Sequence, residues 1–248
     1  NIYVVASQQN LHFQQWIEVV EMLGYRWARD CVHVAFGLIS MEDGTMSTRE
    51  GRVIFLEDVL NKAVEKTKEI IIEKGVNTDN VEETARQVGI GAVVFQELAN
   101  NRIKDYVFNW DRVLNFEGET GPYVQYTHAR AASVLRKAGQ AAVDKAEAKC
   151  LDGTLDGTYI ISDSAYQLLK LIYAMPSVIQ EAGERYEPSI LTRHIIDIAQ
   201  AFNRFYHDEH VLVDEEEEML ARLSVVGAAK TAIKNGLTLL GIEAPEKM

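Results

Sequence analysis

The hydrophobic pattern of this chain changes period once. From residue 1 to about 62 short continuous apolar runs alternate with amphipathic segments; beyond that the period stays helical to the end. Ile2-Tyr3-Val4-Val5-Ala6 reads as a buried strand and Ser7-Gln8-Gln9-Asn10 as a polar turn. Phe13 to Leu23 reads as a helix with Phe13, Trp16, Ile17, Val20 and Leu23 on one face, ended by Gly24. Val32 to Ile39 is the next strand. Strand, helix, strand in that order implies a parallel sheet with a crossover.

The helical part begins with a stripe of Leu56, Val59, Leu60, Ala63, Val64, Thr67, Ile70 and Ile71, closed by Gly75. Asp79 or Asn80 can cap a second helix, in which Ala85, Val88, Ala92, Phe95 and Ala99 share a face. Gly89 and Gly91 lower the propensity of that helix and make sense if another backbone packs closely there. Asn101 to Phe116 reads as a polar and aromatic connector, in which Arg102, Lys104 and Arg112 could meet phosphates or be ordinary surface charge. Gly121-Pro122 opens a helix that runs to about Ala138. Cys150 to Tyr159 reads as a loop, Ser164 to Gln167 as a capping box, and Pro176 and Pro188 as the starts of two further helices. A last long helix carries Met219, Leu220, Leu223, Val226 and Ile233. The expected architecture is α/β with a partial Rossmann-type parallel sheet, followed by an all-α bundle of about five helices. The expected division is residues 1–114 and 115–248.

Composition adds limits. The 248 residues are 47% hydrophobic and 25% charged, with a net charge of −12, which argues against indiscriminate coating of nucleic acid but leaves room for a local basic face. Part of the excess is the run Asp214 to Glu218, placed to favour a helix start. No apolar run approaches a membrane span, and Cys31 and Cys150 lie far apart in sequence, so a reducing cytoplasm is the expected compartment. The chain opens on a core strand without an initiator methionine, so a piece of a longer protein is expected.

One stretch carries candidate chemistry. Gly44-Thr45-Met46-Ser47-Thr48-Arg49-Glu50-Gly51 brackets small hydroxyl residues and an arginine with glycines, between an apolar run and a helix. Such a loop can offer N–H groups, hydroxyls and a guanidinium to a polyphosphate, and it can equally be a plain turn. His207-x-x-His210 has a spacing that could hold a metal, but no third ligand is evident, and no metal site is expected.

Four segments in order resemble class I arginyl-tRNA synthetases. Tyr3 to Phe13 is similar to the strand and turn of the second half of that family's nucleotide-binding fold, and Gly44 to Gly51 resembles a degenerate version of its KMSKS loop. Gly121-Pro122-Tyr123-Val124-Gln125-Tyr126-Thr127-His128-Ala129-Arg130 resembles the opening of its anticodon-binding domain, and Gly241 to Met248 its C-terminus. The resemblance implies an ATP-dependent ligase that activates arginine, with Mg2+ accompanying ATP, and esterifies it to its tRNA. The family's HIGH motif, most of its arginine pocket and its N-terminal tRNA-contacting domain lie before the matching region.

The resemblance also implies roles for residues. Ser47, Thr48 and Arg49 would be the catalytic residues of the loop, although Thr45 and Thr48 stand where the family has lysines. His12, Phe36, Gly37 and Met46 would contact ATP, with main chain near Ala35 to Gly37 against adenine, and Gln9 would contact arginine. Tyr123, Tyr126 and Arg130, at i, i+3 and i+7, would meet unstacked anticodon bases, with Ser133 continuing the stripe and Met248 reaching a base. The expected partners are arginine tRNA, arginine and ATP, with no membrane, no resident cofactor and a monomeric state. On its own the chain is expected to bind tRNA without activating arginine. Two other functions are compatible with the sequence: a stand-alone tRNA-binding module and a helical protein-interaction scaffold.

Overall fold

The computed structural model describes residues 1–41, 55–76 and 78–248. Strand β1 (Ile2–Ala6) and strand β2 (Val32–Phe36) pair in parallel, Ala6 opposite Phe36, across helix α1 (Asn10–Met22). Phe13 of α1 stacks on His33 of β2 at 4.1 Å and meets Tyr3 and Trp16 edge-on or tilted, so an aromatic cluster rather than aliphatic packing seats this helix. Gly24 follows the helix at φ +92°, a left-handed position that ends it as expected.

The strand expected over Val32 to Ile39 is two strands. β2 stops at Phe36, and β3 (Ile39–Met41) pairs in parallel with β4 (Tyr106–Phe108) in a separate sheet. Gly37 is the switch. A Cβ there would sit 2.6 Å from the Lys104 carbonyl carbon and oxygen, and the Gly37 N–H donates to the Arg102 carbonyl at 2.7 Å. The connector of residues 101–116 therefore holds a strand and a short helix α4 (Trp110–Val113), which a polar, aromatic stretch without clear periodicity did not reveal.

Helix α2 (Leu56–Glu73) buries Ala63, Thr67 and Ile71, and Gly75 follows it at φ +60°. Asn80 caps α3 (Val81–Ala99), its side chain accepting the Glu83 N–H at 3.2 Å. Gly89 lets α2 and α3 touch: a Cβ would lie 2.9 Å from backbone atoms of Ala63 and Val64. α3 joins two cores. Ala92 and Val93 pack with Ala63, Phe108, Val113 and Leu114, whereas Phe95 belongs to the core of the bundle.

The bundle is α5 (Gly121–Ala138), α6 (Gln140–Asp152), α7 (Asp163–Glu184), α8 (Pro188–Asp208) and α9 (Glu216–Leu239). Three readings of its boundaries are corrected. The Cys150 to Tyr159 loop starts later, because α6 continues to Asp152. The cap of α7 is Ser162, which accepts the Ala165 N–H at 3.3 Å; Ser164 lies inside the helix. Pro176 sits within α7 instead of starting a helix. A proline there removes one helical hydrogen bond and costs about 3 kcal/mol, which packing of Leu168 and Met175 in the core before it and Ile179 after it offsets.

α9 is the central helix, burying Leu220, Leu223, Val226, Ala229, Ile233 and Leu237. Its first turn carries Glu216, Glu217 and Glu218, which complement the helix dipole. Two of them also tie α6 to α9, through Lys145–Glu216 at 2.6 Å and Lys149–Glu217 at 2.6 Å, while Glu218 pairs with Arg222 one turn along the same helix at 2.7 Å. Between the two parts of the chain, the Arg102 guanidinium donates to the Ala35 carbonyl and to the Tyr186 carbonyl, both at 2.9 Å. Arg102 is thus a structural clasp, and its reading as a phosphate contact is withdrawn. Among the described residues no helix is long and apolar enough to cross a membrane.

Candidate anticodon-binding cleft

Thr120 starts α5 by accepting the Tyr123 N–H at 3.3 Å, with Pro122 in the first turn. From that start the helix buries Val124, Thr127, His128 and Ala131 against α3, α8 and α9, leaving Tyr126 exposed and Tyr123 and Arg130 half-buried. Tyr126 is 38% exposed. The three side chains line a cleft of about 580 Å³, whose wall also includes Asn203, Lys74, Phe116 and Met248.

The cleft's polar wall is connected. Arg130 Nη1 donates to Asn203 Oδ1 at 2.5 Å, and its guanidinium carbon lies 4.9 Å from the Tyr126 ring centre and 5.6 Å from that of Tyr206. Asn203 Nδ2 donates to the Tyr123 hydroxyl at 2.9 Å and to Thr127 Oγ1 at 3.0 Å. Lys74, its ammonium 5.2 Å from the centre of the Phe116 ring, brings a second cation to the wall. In a chain of net charge −12 this is a local gathering of two cations and several rings. Rings that stack and cations that meet phosphate are what an unstacked RNA loop requires.

Met248 reaches the cleft because the tail is fastened at successive residues. Ile242 is buried, Arg86 binds Glu243 at 2.6 Å, and Gln125 Nε2 donates to the Glu243 carbonyl at 2.8 Å. His128 Nδ1 lies 2.9 Å from the Pro245 carbonyl, Arg136 donates to the Glu246 carbonyl at 2.8 Å, and Lys247 binds Asp79 at 2.5 Å. Burial is the main influence on the His128 imidazole and pushes it below its ordinary range. Glu246 is held below its ordinary range although burial opposes this, because Lys230 bonds it at 2.8 Å.

Tyr123, Tyr126, Arg130 and Met248 therefore converge, while Ser133, one turn further along α5, does not line the cleft. Asn203, Tyr206 and Thr127 were missed by sequence reasoning. Asn203 and Tyr206 sit on α8, and only the packing of α8 on α5 brings them in. A larger groove of about 650 Å³ between α6, α7 and α9 is apolar, with Glu147 its one charged lining residue, and offers little to a polyanion.

The ATP and arginine candidates occupy the other part of the chain. Gln9 ends a 3-10 turn (Ser7–Gln9) after β1, His12 lies in the first turn of α1, Phe36 ends β2 and Gly37 follows it. Because β1 and β2 run parallel, all four cluster at the carboxyl end of the sheet, where open α/β folds place ligands. Gln9, His12 and Phe36 are exposed and Gly37 is buried. Arg102 engages the Ala35 carbonyl and the Gly37 N–H, which narrows what this main chain can offer a base edge. Met46, Ser47, Thr48 and Arg49, with the rest of the loop from Gly44 to Gly51, lie outside the described residues. His207 contacts its neighbour Asp208 at 3.1 Å, and among the described residues no group of three His, Cys, Asp or Glu is placed to hold a metal.

Comparison with known proteins accounts for both parts. The family described as tRNA synthetases class I (R), catalytic domain, matches residues 1–110, and the DALR anticodon binding domain matches residues 124–248. Together they define a class I aminoacyl-tRNA synthetase segment joined to an anticodon-binding domain. The arginine–tRNA ligase of Halothermothrix orenii is 58% identical over 248 residues, which is all of this chain and 42% of that protein. The arginine–tRNA ligase of Clostridioides difficile is 53% identical over 247 residues, again 42% of its length. The arginyl-tRNA synthetase structure from Thermus thermophilus superposes with a TM-score of 0.81 at 29% identity, covering all of this chain and 41% of that one. The chain belongs to the class I arginyl-tRNA synthetase family. It spans less than half the length of the curated relatives it matches.

Proposed function

We propose that this chain is the part of an arginine–tRNA ligase that recognises the anticodon loop of arginine tRNA in the cleft of α5, α8 and the C-terminal tail. The observation that carries this is the convergence of Tyr123, Tyr126, Arg130 and Met248, from two distant stretches of sequence, on one cleft with two cations. In this reading Tyr126 and Tyr206 stack with bases, Arg130 meets a base edge or phosphate, and Met248 supplies an apolar contact. Ser133 supports the stripe from outside the cleft.

In the parent ligase, ATP with Mg2+ and arginine would meet at the carboxyl ends of β1 and β2. Gln9 would bind arginine, His12, Phe36, Gly37 and Met46 would bind ATP, and Ser47, Thr48 and Arg49 would steady the leaving pyrophosphate. The 248-residue chain by itself binds tRNA as a monomer in the cytoplasm without activating arginine, residues 1–114 carrying the ATP side and residues 115–248 the anticodon side.

The test is binding of an arginine tRNA transcript to the chain and to Tyr126→Leu. Loss of roughly one base-stacking contact, about 1–3 kcal/mol, predicts about five- to hundredfold weaker binding with an unchanged circular dichroism spectrum. Equal binding by the variant would instead favour a helical scaffold for protein partners. Pyrophosphate exchange into ATP that depends on arginine, catalysed by the chain alone, would overturn the statement on activation.

A further inference from the structure

The two amide protons of Asn203 and its carbonyl oxygen are each engaged, and two of the three partners have chemically fixed roles. Arg130 can only donate, so the Asn203 atom at 2.5 Å from it is the carbonyl oxygen. The Thr127 hydroxyl donates its single proton to the Tyr123 main-chain carbonyl at 2.9 Å, because a carbonyl can only accept. Thr127 Oγ1 must then accept from Asn203, which places the amide nitrogen on that side without ambiguity. The same nitrogen directs its second proton to the Tyr123 hydroxyl oxygen at 2.9 Å. The Tyr123 O–H proton is left over, and among the described residues no acceptor takes it.

From this we propose that Asn203 is a positioning residue that sets the direction of the Tyr123 hydroxyl, making it a donor into the cleft. The Tyr123 hydroxyl and the Arg130 guanidinium then both present donors to the cleft. It selects an unpaired base whose exposed edge carries acceptors, such as a ring nitrogen or exocyclic carbonyl oxygen, over one that presents an exocyclic amine. Glu117 also lines the cleft, but its side chain makes no hydrogen bond to Asn203, Tyr123 or Arg130. The inference rests on the anticodon reading above and specifies what that cleft reads.

Asn203→Asp tests it, because a carboxylate still holds Arg130 but can only accept, so it draws the Tyr123 proton away from the cleft. Binding is measured with an anticodon-arm hairpin of an arginine tRNA, for the wild-type chain, Tyr123→Phe, Asn203→Asp and the double variant. One neutral hydrogen bond predicts about five- to tenfold weaker binding for each single variant. The double variant is expected to bind no more weakly than Asn203→Asp, since the donor is already lost. Penalties that multiply in the double variant would overturn the assignment and leave Asn203 a packing residue.

A second measurement needs no RNA. Both side-chain amide protons of Asn203 exchange slowly in the wild-type chain, and in Tyr123→Phe one of them becomes fast. Unchanged exchange in Tyr123→Phe overturns the hydrogen-bond direction even if the hairpin binds. Failure of the wild-type chain to bind the hairpin overturns the anticodon reading, and with it the base-edge selectivity, whatever the exchange shows.

Discussion

Met248 stands in the cleft only while the C-terminal tail stays docked, and His128 is the residue whose loss should loosen it most selectively. Its side chain is fully buried on α5, with Nδ1 2.9 Å from the Pro245 carbonyl. Replacing it with alanine leaves that carbonyl without its partner, at about 1–3 kcal/mol, and opens a cavity where the ring was, so the total destabilisation is about 2–4 kcal/mol. Ile242 and the Gln125 bond to the Glu243 carbonyl hold the upstream part of the tail regardless. The exposed pairs Arg86–Glu243 and Lys247–Asp79 add about 1 kcal/mol or less each. His128→Ala should therefore free the last residues without unfolding the bundle, making tail opening about thirty- to several-hundredfold more frequent. Carboxypeptidase release of Met248 reads this directly, because cleavage follows the open population when opening is fast. His128→Asn, which can place an amide N–H near the Nδ1 position, should recover most of the protection.

The same residue gives the tail a pH dependence of defined sign. With Nδ1–H donating to Pro245, Nε2 is buried without a hydrogen-bond partner, and Glu246 lies 3.9 Å from it. Burial disfavours the imidazolium, Glu246 favours it and Lys230 and Lys234 oppose it, so the docked imidazole titrates below its ordinary 6.5. The open tail then takes up a proton that the docked tail refuses, and docking weakens as pH falls below about 6.5. Release of Met248, normalised to a free peptide of the same sequence, should accelerate below that pH in the wild type and stay flat in His128→Asn. Release from His128→Ala no faster than from wild type would refute the idea that His128 latches the tail.

Further outcomes follow from buried contacts elsewhere. Gly89→Ala gains about 1 kcal/mol of helix propensity but drives a methyl to 2.9 Å from the Ala63 and Val64 backbone, a strain of about 1–3 kcal/mol. The strain should prevail and lower Tm by a few degrees in a thermal melt; a raised Tm would mean that α2 and α3 are not in backbone contact. Glu97, bonded by the Tyr106 hydroxyl, has its carboxyl pushed up by burial from 4.5 to about 7. The fold thus holds a proton that the unfolded chain releases, and stability falls as pH rises from about 4.5 through 7. Glu97→Gln should remove that slope in denaturant titrations, stabilising at pH 8 by about 1–2 kcal/mol after allowing for solvent screening and by nothing at pH 4.

The elements that could be read from the chain were those whose signal is local. The α5 start was legible because Gly121-Pro122 is a start signal, and Gly24, Gly75, Asn80 and Gly89 acted as their residue types suggest. Two of the errors share a cause in tertiary packing. Pro176 was read by its propensity and is overruled by the apolar residues packed on both sides of it along α7. The break at Gly37 depends on the approach of Lys104, far away in sequence. The stripe of Tyr123, Tyr126 and Arg130 was visible as a helical period, but the residue that connects two of them, Asn203, comes from α8. Nothing in the sequence around Asn203 distinguishes it from an ordinary surface amide.

The central claim is that the cleft reads bases and does not merely attract a polyanion. The most direct measurement is binding of an arginine tRNA transcript to the chain across a series of salt concentrations, beside the same transcript with its anticodon exchanged. Recognition in the cleft predicts weaker binding of the exchanged transcript at every salt concentration. Equal binding of the two, falling steeply together as salt rises, would mean phosphate attraction alone and would contradict it.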